Sequence, residues 1–211
     1  MRLVAPLALV AAALCFHATG PAQQLVTVDA ATARSTTAVV RLWERDGNCW
    51  RPIKGPWPAH VGRSGLSSHH LEGDGTTPLG TFGIGPVAYG IAPDPGTELA
   101  YHRLACGDWW DEDPASAAYN RFVHLRCGAT PPFNADSEAL WRPARAYAHF
   151  AVIEYNTAPI VPGRGSAIFI HVDTGTATNG CVSLPRADLD ALLRWLRPAA
   201  APAVSIRLRA A

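Results

Sequence analysis

Two side chains near the C-terminal end of the sequence have the types and the spacing for nucleophilic catalysis. Cys181 lies in the segment TATNGCVSLP, and His171 precedes it by ten residues at the end of the apolar run AIFIH. A cysteine thiolate attacks carbonyl carbon when a base lies beside it and nearby donors stabilise the oxyanion. Cys181 is therefore a candidate nucleophile with His171 as its base. A disulfide half and a buried core thiol are the alternatives.

The loop VDTGTATNG between these residues is short enough to bring their side chains together. Gly180 leaves room for a substrate backbone, and the amides from Asn179 to Cys181 are candidate oxyanion donors. Asp173 or a backbone carbonyl is a candidate to orient the imidazole. Without further context, a lone Cys and a lone His at this spacing more often serve packing or the surface.

The surrounding segments read mainly as β-strands. SAIFIHV and YAHFAVIEYN are rich in β-branched and aromatic residues, and the first is nearly continuously apolar, which is typical of a central buried strand. TAVVRLWERDGNCWRPI alternates apolar and polar residues about Asp46-Gly47-Asn48 and predicts a hairpin. Scattered Gly and Pro residues indicate turns throughout. We expect a mainly β fold in one domain.

One segment, PRADLDALLRWLRP, predicts a helix. Pro185 lies near its start and Pro198 closes it. One face carries an apolar stripe at helical spacing, formed by Leu189, Leu192, Leu193 and Leu196. Because this helix begins shortly after Cys181, the positive end of its dipole is expected to lower the pKa of the thiol.

The N-terminus has the pattern of a secretory signal. One arginine, an apolar run and a group of small residues predict a signal peptide over residues 1–22, followed by a flexible leader over 23–36 and the catalytic domain over 37–211. The apolar run is too short to span a bilayer comfortably. Lipid attachment at Cys15 is the alternative, which the large Leu14 before it disfavours. We expect a secreted, periplasmic or cell-envelope protein without a transmembrane span.

Charge excludes one class of partner. The formal net charge is +1, Lys54 is the only lysine, and no basic run occurs. Since phosphate binding needs a clustered positive surface, nucleic acid is not an expected partner. We expect a monomer.

The cysteines predict one disulfide. After removal of the signal, Cys49, Cys106, Cys127 and Cys181 remain, which allows three connectivities. If Cys181 is reserved for chemistry, one of the other three stays unpaired. Cys106 and Cys127 are the preferred pair, because they flank the acidic and aromatic excursion GDWWDEDPASAAYNRFVHLR. Cys49 is then expected to be a half-buried strand thiol.

Two motifs together resemble those of the YkuD-type L,D-transpeptidase family of bacterial envelope enzymes. The first joins GSAIFIHV to TNGCVSLP, and the second is GDGTTPLGTF, preceded by VGRSGL. The matching positions are His171, Thr178, Gly180, Cys181 and Val182 in the first, and Thr77, Pro78, Gly80, Thr81 and Phe82 in the second. The resemblance extends from about Ala38 to the C-terminus. It implies a β-sandwich or barrel-like fold with a short helix after the catalytic Cys.

The resemblance also implies a reaction. His171 takes the proton of Cys181, and the thiolate attacks the carbonyl between the third residue of a peptidoglycan stem peptide and its terminal D-alanine. An amine of a neighbouring stem then resolves the thioester and forms a cross-link. Water as acceptor makes the protein an L,D-carboxypeptidase or another cell-wall peptide hydrolase. The resemblance implies no metal or organic cofactor, and carbapenems are expected to acylate Cys181.

Three departures from the family pattern leave the acceptor open. Asn179 and Ser183 stand where many members have His and Arg or Asn, and the loop from His171 to Cys181 is shorter than in the commoner members. A catalytically silent envelope-binding protein is the alternative from another functional class.

Other residues are candidates for binding. Guanidinium groups suit carboxylates, so Arg63, Arg164 and Arg186 are candidates for substrate binding. Tyr155 lines a groove or fills the core, with the core as the default.

Two acidic segments suggest metal sites that closer inspection disfavours. SSHHLEGDG places His69 and His70 beside acids, but adjacent histidines of a strand point to opposite faces, so no metal site is expected. DWWDEDP lacks the glycine and the distal glutamate of a calcium loop and is expected to be a solvated acidic loop.

Overall fold

The computed structural model of the protein describes residues 16–209. Residues 1–15, which hold most of the predicted signal peptide, lie outside the described residues. The strands, in chain order, are β1 Phe16–His17, β2 Gln24–Ala30, β3 Thr37–Asp46, β4 Cys49–His60, β5 Leu66–Ser67, β6 Thr77–Pro78, β7 Gly80–Gly90, β8 Ala100–Arg103, β9 Asp108–Asp111, β10 Arg121–His124, β11 Glu138–Ala139, β12 Phe150–Ile153, β13 Phe169–Val172, β14 Val182–Leu184 and β15 Ala203–Leu208. The helices are α1 Arg186–Trp195 and two short 3-10 turns, Ala146–Ala148 and Pro198–Ala200.

The main sheet closes on itself. Its strands follow the order β4-β14-β13-β12-β7-β15-β2-β3, and β3 pairs with β4 to complete the ring, while β1 and β8 extend it at β4 and β7. Pairing is antiparallel except for β13 with β14, β15 with β2 and β7 with β8. The expectation of a mainly β, barrel-like fold in one domain is confirmed.

Strand β2 corrects the expectation of a flexible leader over residues 23–36. All seven residues of QLVTVDA are buried, and the strand pairs antiparallel with β3 and parallel with β15. Val26 and Val28 have no exposed surface. The segment was misjudged because its partner β15 lies at the far end of the chain, and a parallel pairing of that kind leaves no local signal.

The predicted hairpin and helix are confirmed. Asp46 pairs with Cys49, so β3 and β4 are joined by the two-residue turn Gly47-Asn48, and Gly47 has the positive φ of +58° that such a turn requires. The helix α1 begins after Pro185 and buries the predicted leucine stripe against the sheet. Burying one leucine side chain stabilises the fold by about 1.5–3 kcal/mol.

The predicted disulfide between Cys106 and Cys127 is present, with the two Cα atoms 5.1 Å apart. The expectation for Cys49 is wrong, because Cys49 is disulfide-bonded rather than a thiol. Among the residues that the structure describes, Cys181 is the only free cysteine. The disulfide therefore holds the excursion and leaves the candidate nucleophile unpaired.

The acidic excursion packs onto the ring instead of extending into solvent. Strand β9 pairs with β10 and β11 to form a small sheet, and Trp110 of β9 contacts Phe169 of β13 edge-on with 5.0 Å between ring centroids. The expectation of a solvated acidic loop is wrong for Asp108 and Asp111, which are buried. Asp108 binds His102 and His124 at 2.9 and 2.6 Å, and Asp111 accepts a hydrogen bond from Ser116. These side-chain partners compensate the carboxylates for the loss of water.

Within residues 16–209, no helix has the length and apolar character needed to cross a membrane.

Removing the Cys106–Cys127 disulfide by the double change Cys106→Ser and Cys127→Ser should destabilise the fold. The bond closes a loop with a sequence separation of 21. By reducing the entropy of the unfolded chain, a cross-link over a loop of that size raises the free energy of the unfolded state by about 3 kcal/mol at 25 °C. Urea unfolding should show a decrease of that order in the free energy of unfolding, while the alkylation rate of Cys181 should not change. An unchanged unfolding midpoint would contradict this role.

Candidate active site

Cys181 lies immediately before β14, next to the buried strand β13. Its Sγ donates a hydrogen bond to the carbonyl oxygen of Ala167 at 3.2 Å and accepts one from the backbone N–H of Phe169 at 3.3 Å. The residue is 9% exposed and belongs to a cluster with the rings of Tyr147, Phe150 and Phe169. The thiol is therefore held in a dry, largely aromatic environment.

Two threonines fix the backbone of Cys181. Thr178 donates its hydroxyl to the Cys181 carbonyl oxygen at 2.6 Å, and Thr77 donates to the same oxygen at 3.4 Å. Thr77 is fully buried and also accepts a hydrogen bond from the Gly62 N–H at 2.7 Å. These contacts join the two motifs that carried the family resemblance.

His171 occupies the third position of β13 and is 7% exposed. Its Nδ1 lies 2.9 Å from the carbonyl oxygen of Val172. Because a carbonyl oxygen only accepts hydrogen bonds, Nδ1 carries the proton and Nε2 keeps its basic lone pair. Burial lowers the pKa of His171 below its usual range, so the ring is neutral near pH 7 and is able to accept a proton.

The register of β13 and β14 sets the relation between the two candidate catalytic side chains. His171 pairs with Ser183 and Ile170 with Val182, so His171 and Cys181 lie on the same face of neighbouring strand segments. The Tyr147 ring contacts His171 edge-on with 5.9 Å between centroids. Within the described part of the chain, no hydrogen bond joins Sγ to His171, because the thiol donates to Ala167 instead.

Asp173 supports the loop rather than the imidazole. Its carboxylate binds His60 Nδ1 at 2.8 Å, the Ser183 hydroxyl at 2.9 Å and the Gly175 N–H at 3.1 Å. The carbonyl of Val172, which sequence reasoning left as the other possibility, is the group that orients His171. Ser183, one of the departures from the family pattern, thus anchors the loop that leads from His171 to Cys181.

The pKa of the Cys181 thiol lies well above its ordinary value. Burial is the main cause, and the nearby carboxyl of Glu138 adds to it. The expectation that the dipole of α1 lowers this pKa is wrong, because α1 begins at Arg186, beyond β14, and desolvation outweighs any dipole effect at that distance. Cys181 is therefore a neutral thiol near pH 7.

Cys181 opens into a cavity of about 430 Å³ with acidic and basic sides. Its polar lining comprises Arg63, His70, Glu72, Glu112, Asp136, Glu138, Ser166 and Asn179. Burial, reinforced by the neighbouring carboxyls, raises the pKa of Glu112 to about 9, and burial also raises the pKa of Glu138. Within residues 16–209, the buried Oε1 of Glu112 has no hydrogen-bond partner.

Only one of the three arginine candidates reaches this cavity. Arg63 lines it and donates to the side-chain oxygen of Asn179. Arg164 lines a separate cavity together with Tyr155, and Arg186 pairs with Asp190 at 3.7 Å at the start of α1. Tyr155 packs its ring against His70 and Phe82, with centroids 5.2 and 5.4 Å away.

The backbone at Gly180 requires glycine. Its φ is +146°, and a Cβ there would lie 3.0 Å from the carbonyl oxygen of Thr76. The Gly180 N–H donates to the Thr178 hydroxyl at 3.1 Å. This bond occupies one of the candidate oxyanion donors, so the amides of Asn179 and Cys181 are the remaining candidates.

Sequence reasoning missed several groups around Cys181. The carboxyls of Glu112 and Glu138 come from the excursion and from β11, and Tyr147 donates its hydroxyl to Glu138. The only signal in the sequence was the density of acidic and aromatic residues in the excursion. That density does not predict that the excursion packs beside Cys181.

The structure offers no metal site among residues 16–209, since no group of three or more His, Cys, Asp or Glu side chains has a suitable arrangement. His69 is exposed and His70 is buried, so the two adjacent histidines point in different directions.

The fold and the site define a class: a closed, mainly β domain with a buried free cysteine, one strand away from a neutral histidine that has a basic Nε2. The sequence model of the YkuD family, described as the L,D-transpeptidase catalytic domain, matches residues 23–206. The chain therefore belongs to the YkuD family, whose members act on peptidoglycan. No curated protein and no solved structure matches the chain.

The change Thr77→Val should destabilise the protein, because it removes the donor to the Cys181 carbonyl and leaves the buried Gly62 N–H without its acceptor. The expected loss of unfolding free energy is about 1–3 kcal/mol, measured by urea unfolding. Thr81→Val is the matched control, because Thr81 belongs to the same motif but is exposed and makes only a 3.3 Å hydroxyl contact to Ser205. Equal losses in both variants would contradict the role of Thr77.

Alkylation of Cys181 by iodoacetamide should be slow at pH 7 and should rise about tenfold per pH unit, because only the thiolate reacts. Since burial raises the pKa of this thiol, the rate should keep rising at a pH where free cysteine, with a pKa of about 8.5, has reached its plateau. A rate that levels off below pH 8 would show that the thiol is not desolvated in solution.

Proposed function

We propose that this protein is an exported L,D-transpeptidase that acts on peptidoglycan stem peptides through a thioester on Cys181. One observation carries the proposal: the bond from His171 Nδ1 to the Val172 carbonyl leaves a basic Nε2 on the face of the sheet that also holds Cys181. Membership in the family supplies the reaction class and the substrate class.

In the acylation half-reaction, Sγ turns from the Ala167 carbonyl towards His171 and gives its proton to Nε2. The thiolate attacks the carbonyl that precedes the terminal D-alanine, and the amides of Asn179 and Cys181 stabilise the oxyanion. His171 then protonates the departing amine. The dry environment of the thiol keeps it neutral until a substrate carbonyl is present, which limits side reactions.

Arg63 is the proposed partner for the terminal carboxylate of the donor stem. It is the arginine candidate that lines the cavity of Cys181, and its guanidinium group is suited to two parallel hydrogen bonds with a carboxylate. The acidic side chains of Glu72 and Asp136 also line the cavity. Because like charges repel, the donor carboxylate is expected to bind on the Arg63 side.

Export is part of the proposal. The Cys106–Cys127 disulfide fits an oxidising compartment. A signal peptide over residues 1–22 would take with it the two-residue strand β1, which pairs only at the edge of β4 and is not part of the closed ring. The ring strands β2 to β4, β7 and β12 to β15 all follow residue 22.

Mass spectrometry of purified tetrapeptide muropeptides tests the function. The wild-type protein should form cross-linked dimers, Cys181→Ala should form none, and His171→Ala should lose nearly all turnover because the thiol then has no base. Tripeptides without dimers would identify a carboxypeptidase, and unchanged tetrapeptides from the folded wild type would favour a binding role. Steady-state turnover by Cys181→Ala would contradict the mechanism.

A further inference from the structure

His70 is a buried polar side chain that lines the cavity of Cys181 and has no part in the acylation steps above. Its exposed fraction is 4%. It comes from the segment before β6, and thus approaches the cavity from a different part of the chain than His171. In the described part of the chain, the lining of this cavity does not include His171.

The imidazole of His70 is fixed in orientation by an acidic turn. Its Nδ1 lies 3.0 Å from both Asp74 Oδ1 and Thr76 Oγ1. Asp74 is itself held by the N–H groups of Leu71 and Thr76, at 2.9 and 2.7 Å. Since a carboxylate only accepts, Nδ1 carries the proton, and Nε2 is the basic nitrogen.

The His70 ring packs closely against the backbone of Gly165, where a Cβ would lie 2.3 Å from Nε2. On the cavity side its Cε1 lies near Gly180, where a Cβ would be 3.6 Å away. Tyr155 contacts the His70 ring edge-on and donates its hydroxyl to the His70 carbonyl at 3.2 Å. Within residues 16–209, no hydrogen bond engages Nε2.

Burial keeps His70 neutral near pH 7, because desolvation lowers its pKa more than Asp74 and Glu72 raise it. A neutral, oriented imidazole with a basic nitrogen in a substrate-sized cavity has the properties of a general base. The carboxylate of Asp74 stabilises the imidazolium that forms when Nε2 takes a proton.

We propose that His70 is the general base of the deacylation half-reaction, so that two histidines divide the two halves of catalysis. This inference rests on the proposed function. His171 serves the thiol on the sheet side, and His70 serves the second nucleophile, which must reach the thioester through the cavity.

The step balances in atoms and charge. A neutral amine or a water attacks the thioester carbonyl and gives one proton to His70 Nε2. The tetrahedral intermediate collapses, the C–S bond breaks, and the new C–N or C–O bond remains. The proton on His70 then returns to the Cys181 thiolate, so both side chains end in their starting forms.

The test uses an acyl group that does not depend on peptide recognition. The full chain is acetylated with p-nitrophenyl acetate, the donor is removed, and the loss of acetyl from Cys181 is followed by intact-protein mass spectrometry in water and with added glycinamide. His70→Gln should slow deacylation at least about tenfold, as expected for loss of a general base, while acetylation keeps the wild-type rate. His69→Gln is the matched control, because His69 is adjacent but exposed.

Chemical rescue separates a catalytic role from a structural one. Added imidazole should restore deacylation in His70→Ala and leave the wild type unchanged, and Asp74→Asn should slow deacylation to a lesser degree. An unchanged deacylation rate in His70→Gln, or a loss in His70→Ala that imidazole does not rescue, overturns the proposal and leaves transpeptidation untouched. Absence of acetyl-Cys181 in the wild type would instead contradict the function proposed for Cys181 itself.

Discussion

The hydrogen bonds that Thr77 and Thr178 donate to the Cys181 carbonyl are the interaction on which the candidate site depends. The hydrogen bonds that join the Cys181 thiol to Ala167 and Phe169 form only if the Cys181 backbone keeps a fixed position along β13. Thr77 lies 104 positions upstream in the sequence, so these hydrogen bonds also tie β6 to Cys181. The second motif thus acts by holding the backbone, and its hydroxyl does not need to touch substrate.

Burial has two opposing effects on the reactivity of Cys181. A desolvated thiol stays protonated, which makes it slow to react with solvent oxidants and electrophiles, since these act on the thiolate. The same dry surroundings strengthen the interaction between a thiolate and an imidazolium once a proton has moved to His171. Under the proposed mechanism, reactivity is therefore coupled to the arrival of substrate, and the alkylation rate alone does not distinguish an active enzyme from a silent relative.

Local patterns were sufficient for the parts of the fold that depend on neighbours in sequence. Alternating apolar and polar residues around a turn predicted the hairpin of β3 and β4, and the leucine stripe predicted α1. The positions of Cys106 and Cys127 on either side of the excursion predicted their disulfide. Strand β2 was missed because its burial depends on the parallel pairing with β15, which lies 178 positions further along the chain and leaves no local signal. The pKa of Cys181 and the place of His70 were missed for the same reason, since burial follows from tertiary packing.

The position of β15 in the ring has a consequence for biosynthesis. This strand, Ala203–Leu208, lies between β7 and β2 and pairs with both. Until residues 203–208 have been synthesised, β2 and β7 lack the strand that joins them, and the ring cannot close. Such non-local pairing slows folding, so closure of the ring has to wait for β15. If the protein is exported as proposed, this delay keeps the chain open for its passage across the membrane.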